Sequence, residues 1–446
     1  MGLTLATSAA VRRGLSIVLL AWLGAAAGQG SASQEAALSR LSLPGVGLRA
    51  RDIAVIVNDA DAGSVEIGRY YAAQRGVVAE RVIHVRFPPG QPVMAFADFM
   101  RVQAVLDARL GADVQALALA WTVPYQVECM SVTAAFALGF DPASYCAEGC
   151  QTTKPSPYFN SASYAPFTDH RLRPAMLLAG TDVENVKRLI DRGVRSDETW
   201  PAGKGYLINT SDGNRNVRAA SYERVREVLG AAYPLEQVDA DALQGRADVM
   251  FAFTGSAKVA GIASNSFVAG AIADHLTSFG GALLAGGEQT TALEWLAAGA
   301  TGSYGTSSEP CNYRAKFPEV GVVMAHYLLG ETLVEAYWKS VLMPGQGVFV
   351  GDPLARPFGG VRISTSGAGT VVATRGLPPG NYFLEASRSA MGPFQPIRAI
   401  RIAGFGVRQI TLPAADSRYF RLRSAPAPAN AAPASSPSAA SPASSG

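Results

Sequence analysis

Between about residues 53 and 358, short apolar runs alternate with amphipathic stretches of helical length. IAVIVND (53–59) is continuously apolar until its last two residues, the signature of a buried strand that ends at a polar edge. A helix is predicted over 64–74, with Val65, Ile67, Tyr70 and Tyr71 supplying much of its apolar surface. Further strands are predicted at VIHVRF (82–87), ALALAW (116–121), AMLLAG (175–180), GYLINT (205–210), VMFAFT (249–254), GALLAG (281–286) and GSYGT (302–306). Helices fit 94–110, 182–193, 220–231, 267–275, 289–298 and 320–340. Strands alternating with helices imply βαβ units, a mainly parallel sheet covered on both faces, and ligand or catalytic groups beyond the carboxyl ends of the strands. The stretch 122–174 breaks this rhythm, is rich in Cys, Tyr, Pro and Ser, and reads as an insertion or lid.

The pattern changes after Gly351-Asp352-Pro353. Residues 360–423 place turn signals (LPPGNY, SAMGPF) between alternating runs such as TVVAT, YFLEAS, IRAIRI and YFRLR. With no helical period in evidence, this region is expected to form a small β sandwich of immunoglobulin or fibronectin III type. Residues 424–446 are almost entirely Ala, Pro and Ser and cannot bury a core, so a disordered tail is expected there. At the other end, Arg12 and Arg13 precede an apolar run at 14–24 and small residues up to Ser33. This is the layout of a secretory signal peptide over 1–33, and the run is too short to span a bilayer. The reading is therefore an exported protein, periplasmic or at the cell surface, with no transmembrane anchor after signal cleavage.

Composition narrows the function classes. The 446 residues carry 48% hydrophobic and 16% charged side chains, enough for a sizeable core. With 38 basic and 35 acidic residues the formal charge is +3, six of the basic residues are lysines, and the arginines read as scattered. Nucleic acid is thereby disfavoured as a partner. The exported part holds Cys129, Cys146, Cys150 and Cys311, an even number that favours disulfides in an oxidising compartment. Cys146 and Cys150 share a turn-rich stretch and are the natural local pair, leaving Cys129 for Cys311. The Cys-x3-Cys spacing has no second pair or nearby His, so no metal is expected.

Motifs for known chemistry are sparse. Neither G-x-G-x-x-G nor G-x-x-x-x-G-K-[ST] follows a strand, so no nucleotide cofactor is expected. No G-x-S-x-G elbow occurs. Asn58, Asp59 and Asp61 at the end of the first strand could bind a hard cation, but also suit a helix N-cap with acidic first-turn residues. His84, His170, His275 and His326 each lack a sequence neighbour that completes a triad.

Two resemblances bear on function. ADVMFAFTG (247–255), GGALLAGG (280–287), ALEWLAAGA (292–300), GSYGT and the Gly-Asp-Pro boundary before a β sandwich occur in an order that resembles the caspase-like domain of gingipain-type cysteine peptidases. The resemblance implies a three-layer α/β sandwich followed by an immunoglobulin-like domain. It also implies a His-Gly closing the first of these strands and a Cys closing the second, the His assisting the thiolate. Here the His position is Thr254, before Gly255, and the Cys position falls at Ala285 or Gly286; none of these can serve. NDADAGSVEIGRYYAAQRGV, LTSFGGALLAGGEQTTALEWLAAGATGSYGTSSEP and EAYWKSVLMPGQGVFVGDPLARPF are similar to a secreted bacterial family that accompanies the exosortase sorting system. That likeness, over about 50–358, implies an envelope location tied to exosortase/PEP-CTERM biology and carries no activity.

The expectation is a caspase-like α/β domain over 50–358 whose former active-site edge (Asn58, Asp59, Thr254, Gly255, Ala285, Gly286) binds an envelope protein or peptide without catalysis. The alternative is a hydrolase with relocated residues around Cys311, Glu288 and Glu309, for which Cys311 would have to escape a disulfide. A structural surface module attached through the sandwich and tail is the third class.

Overall fold

The computed structural model describes residues 41–146, 150–284, 287–366, 369–413 and 419–425. The expected signal peptide and almost all of the Ala/Pro/Ser tail lie outside the described residues, as do Ala285 and Gly286.

Ten strands make one mixed sheet: β1 Ile53–Asn58, β2 Val82–Val85, β3 Ala116–Leu119, β4 Ala175–Leu177, β5 Lys204–Asn209, β6 Leu235–Asp239, β7 Val249–Gly255, β8 Phe267–Leu276, β9 Gly302–Thr306 and β10 Gly347–Gly351. Their spatial order is β6-β5-β7-β8-β9-β10-β4-β3-β1-β2. Every pairing is parallel except β9 with β10, where Gly302 faces Gly351 and Thr306 faces Gly347. This antiparallel pair reverses strand direction across the sheet. The carboxyl ends of β1–β4 therefore emerge at one edge and those of β5–β9 at the opposite edge.

Helices α1 Ala62–Arg75, α2 Phe96–Arg109, α3 Val132–Leu138, α4 Val183–Ser196, α5 Tyr222–Leu229, α6 Ala292–Ala298, α7 Val320–Leu328 and α8 Leu333–Ser340 cover the sheet. Alternation along β7 shows how both faces are used. Ala252 packs with Trp295 of α6, while Phe251 and Phe253 meet Tyr327 of α7 and Tyr222 of α5 on the other face. Buried on both sides, the central strands need the uninterrupted apolar runs seen in the sequence.

Three expectations require correction. Residues 267–275, expected as a helix, are most of β8. FVAGAIADHL has no distinguishing period, and its residues from Gly270 to Leu276 are buried between β7 and β9. Residues 281–284 of the expected GALLAG strand are a turn instead: Gly281 N–H donates to Thr306 O and Ala282 N–H to Phe279 O. The helix expected over 320–340 is two, because the chain turns at Gly330 with φ +82°, where a Cβ would stand 2.8 Å from Gly359 Cα. Strands β6 and β10 were not expected at all.

The stretch between β3 and β4 contributes directly to the core. Every residue of α3 except Leu138 is buried, and Ser131 Oγ and Thr133 Oγ1 both donate to Gly347 O of β10, at 2.6 and 2.7 Å.

Six further strands follow: β11 Val361–Ser366, β12 Gly369–Thr374, β13 Gly380–Ser387, β14 Gln395–Ile402, β15 Arg408–Leu412 and β16 Tyr419–Ser424. They form two small sheets, β11-β12-β15 and β16-β13-β14, over a core that includes Val372, Leu384, Ile410 and Leu422. Leu41–Ser42 adds a short parallel strand beside β16, so this unit draws on chain from both sides of the α/β region. Arg362 donates to Thr199 O at 2.7 Å and stacks on Trp200, and Arg375 lies over Phe358, joining the two units.

Candidate functional site

The order of β5, β6 and β7 creates a switch point: the chain leaves β5 for the edge strand β6, then crosses back to β7 on the other side of β5. The cleft outside the carboxyl ends of β5 and β7 is where an open α/β sheet places its ligands. Thr254 and Gly255 stand there, and beyond the same edge follow Glu288, before α6, and Glu309 and Cys311, after β9. Asn58 and Asp59 end β1 and so belong to the opposite edge. The expected single pocket edge is thus divided in two by the β9/β10 reversal.

At the β1 edge the cap reading holds. Asp61 is the N-cap of α1 and accepts from Gly63 N at 2.9 Å. Asn58 is buried and spent on the turn, its Nδ2 donating to Phe87 O and its Oδ1 accepting from Ala60 N and Phe87 N. Asp59 Oδ1 lies 2.6 Å from His84 Nδ1 at an exposed position. Among the described residues no group of three or more His, Cys, Asp and Glu is placed to hold a metal ion.

At the β7 edge, space is the deciding quantity. A Cβ on Gly255 would stand 2.0 Å from Arg215 O, so this position accepts no side chain. The Thr254 hydroxyl is buried without a protein hydrogen-bond partner. It borders a cavity of about 10 Å³ lined by Ile208, Leu243, Val259, Asn265 and Trp295. That volume suits a single water molecule.

The strand beside β7 is β8, and Thr254 is paired with His275. Strand β8 closes on Asp274-His275-Leu276, with no cysteine at its end. His275 is fully buried; one ring nitrogen contacts Thr290 O at 2.9 Å and the other accepts from Trp295 Nε1 at 3.0 Å. Burial pushes its pKa down to about 3, so the ring is neutral and serves as a spacer between β8 and α6. Asp274, on the other face, meets Arg218 at 2.7 Å, and Arg218 also donates to Thr254 O at 2.8 Å.

The remaining polarity is carried by partly exposed side chains gathered around the buried Thr277. Arg215 reaches Asp212 at 3.1 Å and Thr277 Oγ1 at 3.3 Å, and Thr277 donates to Gln289 at 2.8 Å. Glu288 is exposed. Glu294, in α6, closes a capping box with Thr291. Glu309 Oε1 accepts the Cys311 N–H at 2.7 Å, and Gln346 Nε2 holds the Glu309 carbonyl at 2.7 Å.

All four cysteines are oxidised, in pairings that differ from the expected ones: Cys129 with Cys146, and Cys150 with Cys311. The expected Cys146–Cys150 bridge is replaced because Cys146 ends a short helical turn facing Cys129, while Cys150 lies against the loop after β9. Tyr313 Oη donates to Cys150 O at 3.0 Å and reinforces that contact. Cys311 is a disulfide sulfur and supplies no thiolate.

Two further groups of buried charge were not anticipated. Arg75 of α1 pairs with Asp352 and Asp197, placing the Asp of the Gly-Asp-Pro boundary at a joint between α1 and α4. Glu331, His326, Lys339 and Glu335 form the other. His326 Nδ1 lies 2.7 Å from Glu331 Oε1 and Lys339 Nζ lies 2.7 Å from Glu331 Oε2. Glu335 Oε2 accepts from Leu48 N at 2.9 Å and Thr332 N at 3.0 Å. Burial, aided by Glu331, lifts the Glu335 carboxyl to about 7. A carboxyl that is harder to ionise folded than unfolded binds more protons in the native state between its unfolded value, about 4.3, and 7. Stability should therefore fall as pH rises through that window, and Glu335→Gln should flatten the fall by on the order of 3 kcal/mol. Urea titrations from pH 4 to 8 check this; a wild-type curve rising across the window, or one unchanged by the substitution, contradicts it.

No family model and no curated protein matches the chain. A solved structure described as "Structure of Protease" is similar over 81% of this chain and 97% of its own, with 11% identity and a TM-score of 0.35. So slight a likeness carries no argument about chemistry. No helix among the described residues is long and apolar enough to cross a membrane.

Proposed function

We propose that the chain is an exported envelope protein that acts as a non-catalytic scaffold or binding protein on a peptidase-like α/β frame, tied to exosortase/PEP-CTERM biology. The observation that carries the reading is the state of the β7/β8 edge. Thr254 stands in the place of a base, His275 is locked neutral, and the nearest cysteine in sequence, Cys311, is consumed by Cys150. Export is supported by two disulfides, which persist in oxidising compartments. The partner is an envelope protein or peptide laid along the rim formed by the partly exposed Asp212, Arg215 and Gln289.

Protein purified from the periplasm and denatured without reductant should take up no thiol label, and four labels after reduction. It should hydrolyse a mixed peptide library no faster than its Cys311→Ala and Glu288→Gln/Glu309→Gln variants. Hydrolysis abolished by either variant sinks the reading and restores the relocated-residue hydrolase.

A further inference from the structure

Charge is divided unevenly along the chain. Residues 360–423 hold nine arginines, no lysine and two acidic residues, a net +7. The whole chain is only +3, which leaves −4 for the rest. Nine of the 32 arginines fall in this unit with only two acidic residues to balance them, and two of the nine, Arg362 and Arg375, are used at the junction with the α/β region.

The direction of β13 locates most of the others. It starts at Gly380, at the end where Arg375 and Gly406 approach Ala232 of the α/β region. It ends at Ser387, at the far end of the sandwich, where the hairpin to β14 turns. The tip of that hairpin is Met391, which is 94% exposed, the highest value among the large apolar side chains described as exposed. Single exposed apolar residues are ordinary; one at the apex of a projecting hairpin, in a unit of net charge +7, is not. Arg388 follows β13 directly. Arg421 and Arg423 are set opposite Glu385 and Phe383 on β13, clamped by Glu385 and stacked on Phe394 and Phe383. Arg398 of β14, opposite Leu384 of β13, is exposed and donates to Thr411 O of β15 at 3.0 Å.

We propose that this hairpin is a peripheral membrane-docking element: Met391 enters the interfacial region of an anionic bilayer while the arginine collar meets lipid phosphates. The division of labour matches interfacial binding, in which a small apolar insertion and electrostatic attraction are each weak and act together. Arginine suits the collar because its planar guanidinium binds phosphate through two hydrogen bonds. Docking at the far end of the sandwich leaves the β7/β8 rim free of the lipid surface.

The test is co-sedimentation of the full chain with vesicles of phosphatidylcholine containing 30% phosphatidylglycerol. Binding is expected to the anionic vesicles, at least tenfold weaker to pure phosphatidylcholine, and tenfold weaker again in 0.5 M salt. Met391→Asp should cost at least fivefold with unchanged thermal unfolding, and Arg398→Glu, which also gives up the bond to Thr411 O, at least fivefold when measured well below its own unfolding transition. Arg401→Glu serves as the control, since Arg401 faces Asn381 at the near end of the sheet, about 20 Å at 3.3 Å per residue from the end of β13 where the hairpin turns. It should change binding less than twofold. Absence of vesicle binding overturns the proposal. So does binding indifferent to Met391→Asp, or capture by a soluble acidic polysaccharide that matches the vesicles and ignores the tip.

Discussion

Replacing Cys150 and Cys311 together by serine should lower stability by roughly 5 kcal/mol, against roughly 3 kcal/mol for Cys129 and Cys146, if the bridges act by restricting the unfolded chain. The difference comes from loop length. The first bridge closes a separation of 161 residues and the second one of 17. Loop-closure entropy grows only with the logarithm of length, so a tenfold longer loop adds about 2 kcal/mol rather than multiplying the effect. The two loops do not overlap along the chain, so the losses should be close to additive. Their sum rivals the whole stability of a typical domain, about 5–15 kcal/mol, and the fully reduced protein should sit near its unfolding threshold at 37 °C. Urea unfolding of the two double variants, with and without reductant, gives both numbers. A loss below 1 kcal/mol for the long-loop pair would contradict stabilisation through loop closure. Cleavage after Glu148 tests the pairing itself, because it separates Cys146 from Cys150 and leaves each attached to a different partner peptide. A peptide joining Cys146 to Cys150 would refute the connectivity.

That connectivity shows where sequence reasoning stops. Four cysteines admit three pairings, and nearness along the chain favoured Cys146 with Cys150. What decides the matter is that Cys150 sits against a loop reached only after β9, a proximity made by topology. The strands β1, β3, β4 and β7 were legible because strands buried on both faces are apolar along nearly their whole length. The same property hid β8: a ten-residue apolar run reads equally well as a buried helix, and its neighbours β7 and β9 settle the question. The half-buried edge strand β6 offers neither an apolar run nor clean alternation, as LEQVD shows. Placing Asn58 and Thr254 on one pocket edge failed for a related reason. The direction of half the sheet depends on one antiparallel pair, and β10 went unpredicted. His275 was legible in kind, as a lone histidine with satisfied bonds, though its place beside Thr254 was not. The basic sandwich was visible in the sequence but averaged away when charge was summed over the entire chain.

Arg218→Met should cost about 3–5 kcal/mol, the range for stranding one member of a buried ion pair. Arg218 and Asp274 are both buried, and the guanidinium serves three chain segments at once: Asp274 Oδ1 at 2.7 Å, Thr254 O at 2.8 Å and Pro318 O at 3.4 Å. Removing it leaves Asp274 with Tyr337 Oη at 3.3 Å and frees the carbonyl that ends β7. Burial already holds the Asp274 carboxyl above its ordinary range despite the adjacent guanidinium. The stranded aspartate should respond by taking up a proton, so the penalty should shrink as pH is lowered. Arg218→Met/Asp274→Leu should recover most of the loss, because apolar residues of similar volume avoid desolvating two charges. Chemical denaturation of the single and double variants at pH 5 and pH 8 decides it. A single-variant loss under 1 kcal/mol, or a double variant as unstable as the single, would show that the pair does not hold β7, β8 and the start of α7 together. If the recovery occurs, the buried charge beneath Thr254 is dispensable to the fold. Any binding lost in the double variant would then have to come from the position of the β7/β8 edge itself.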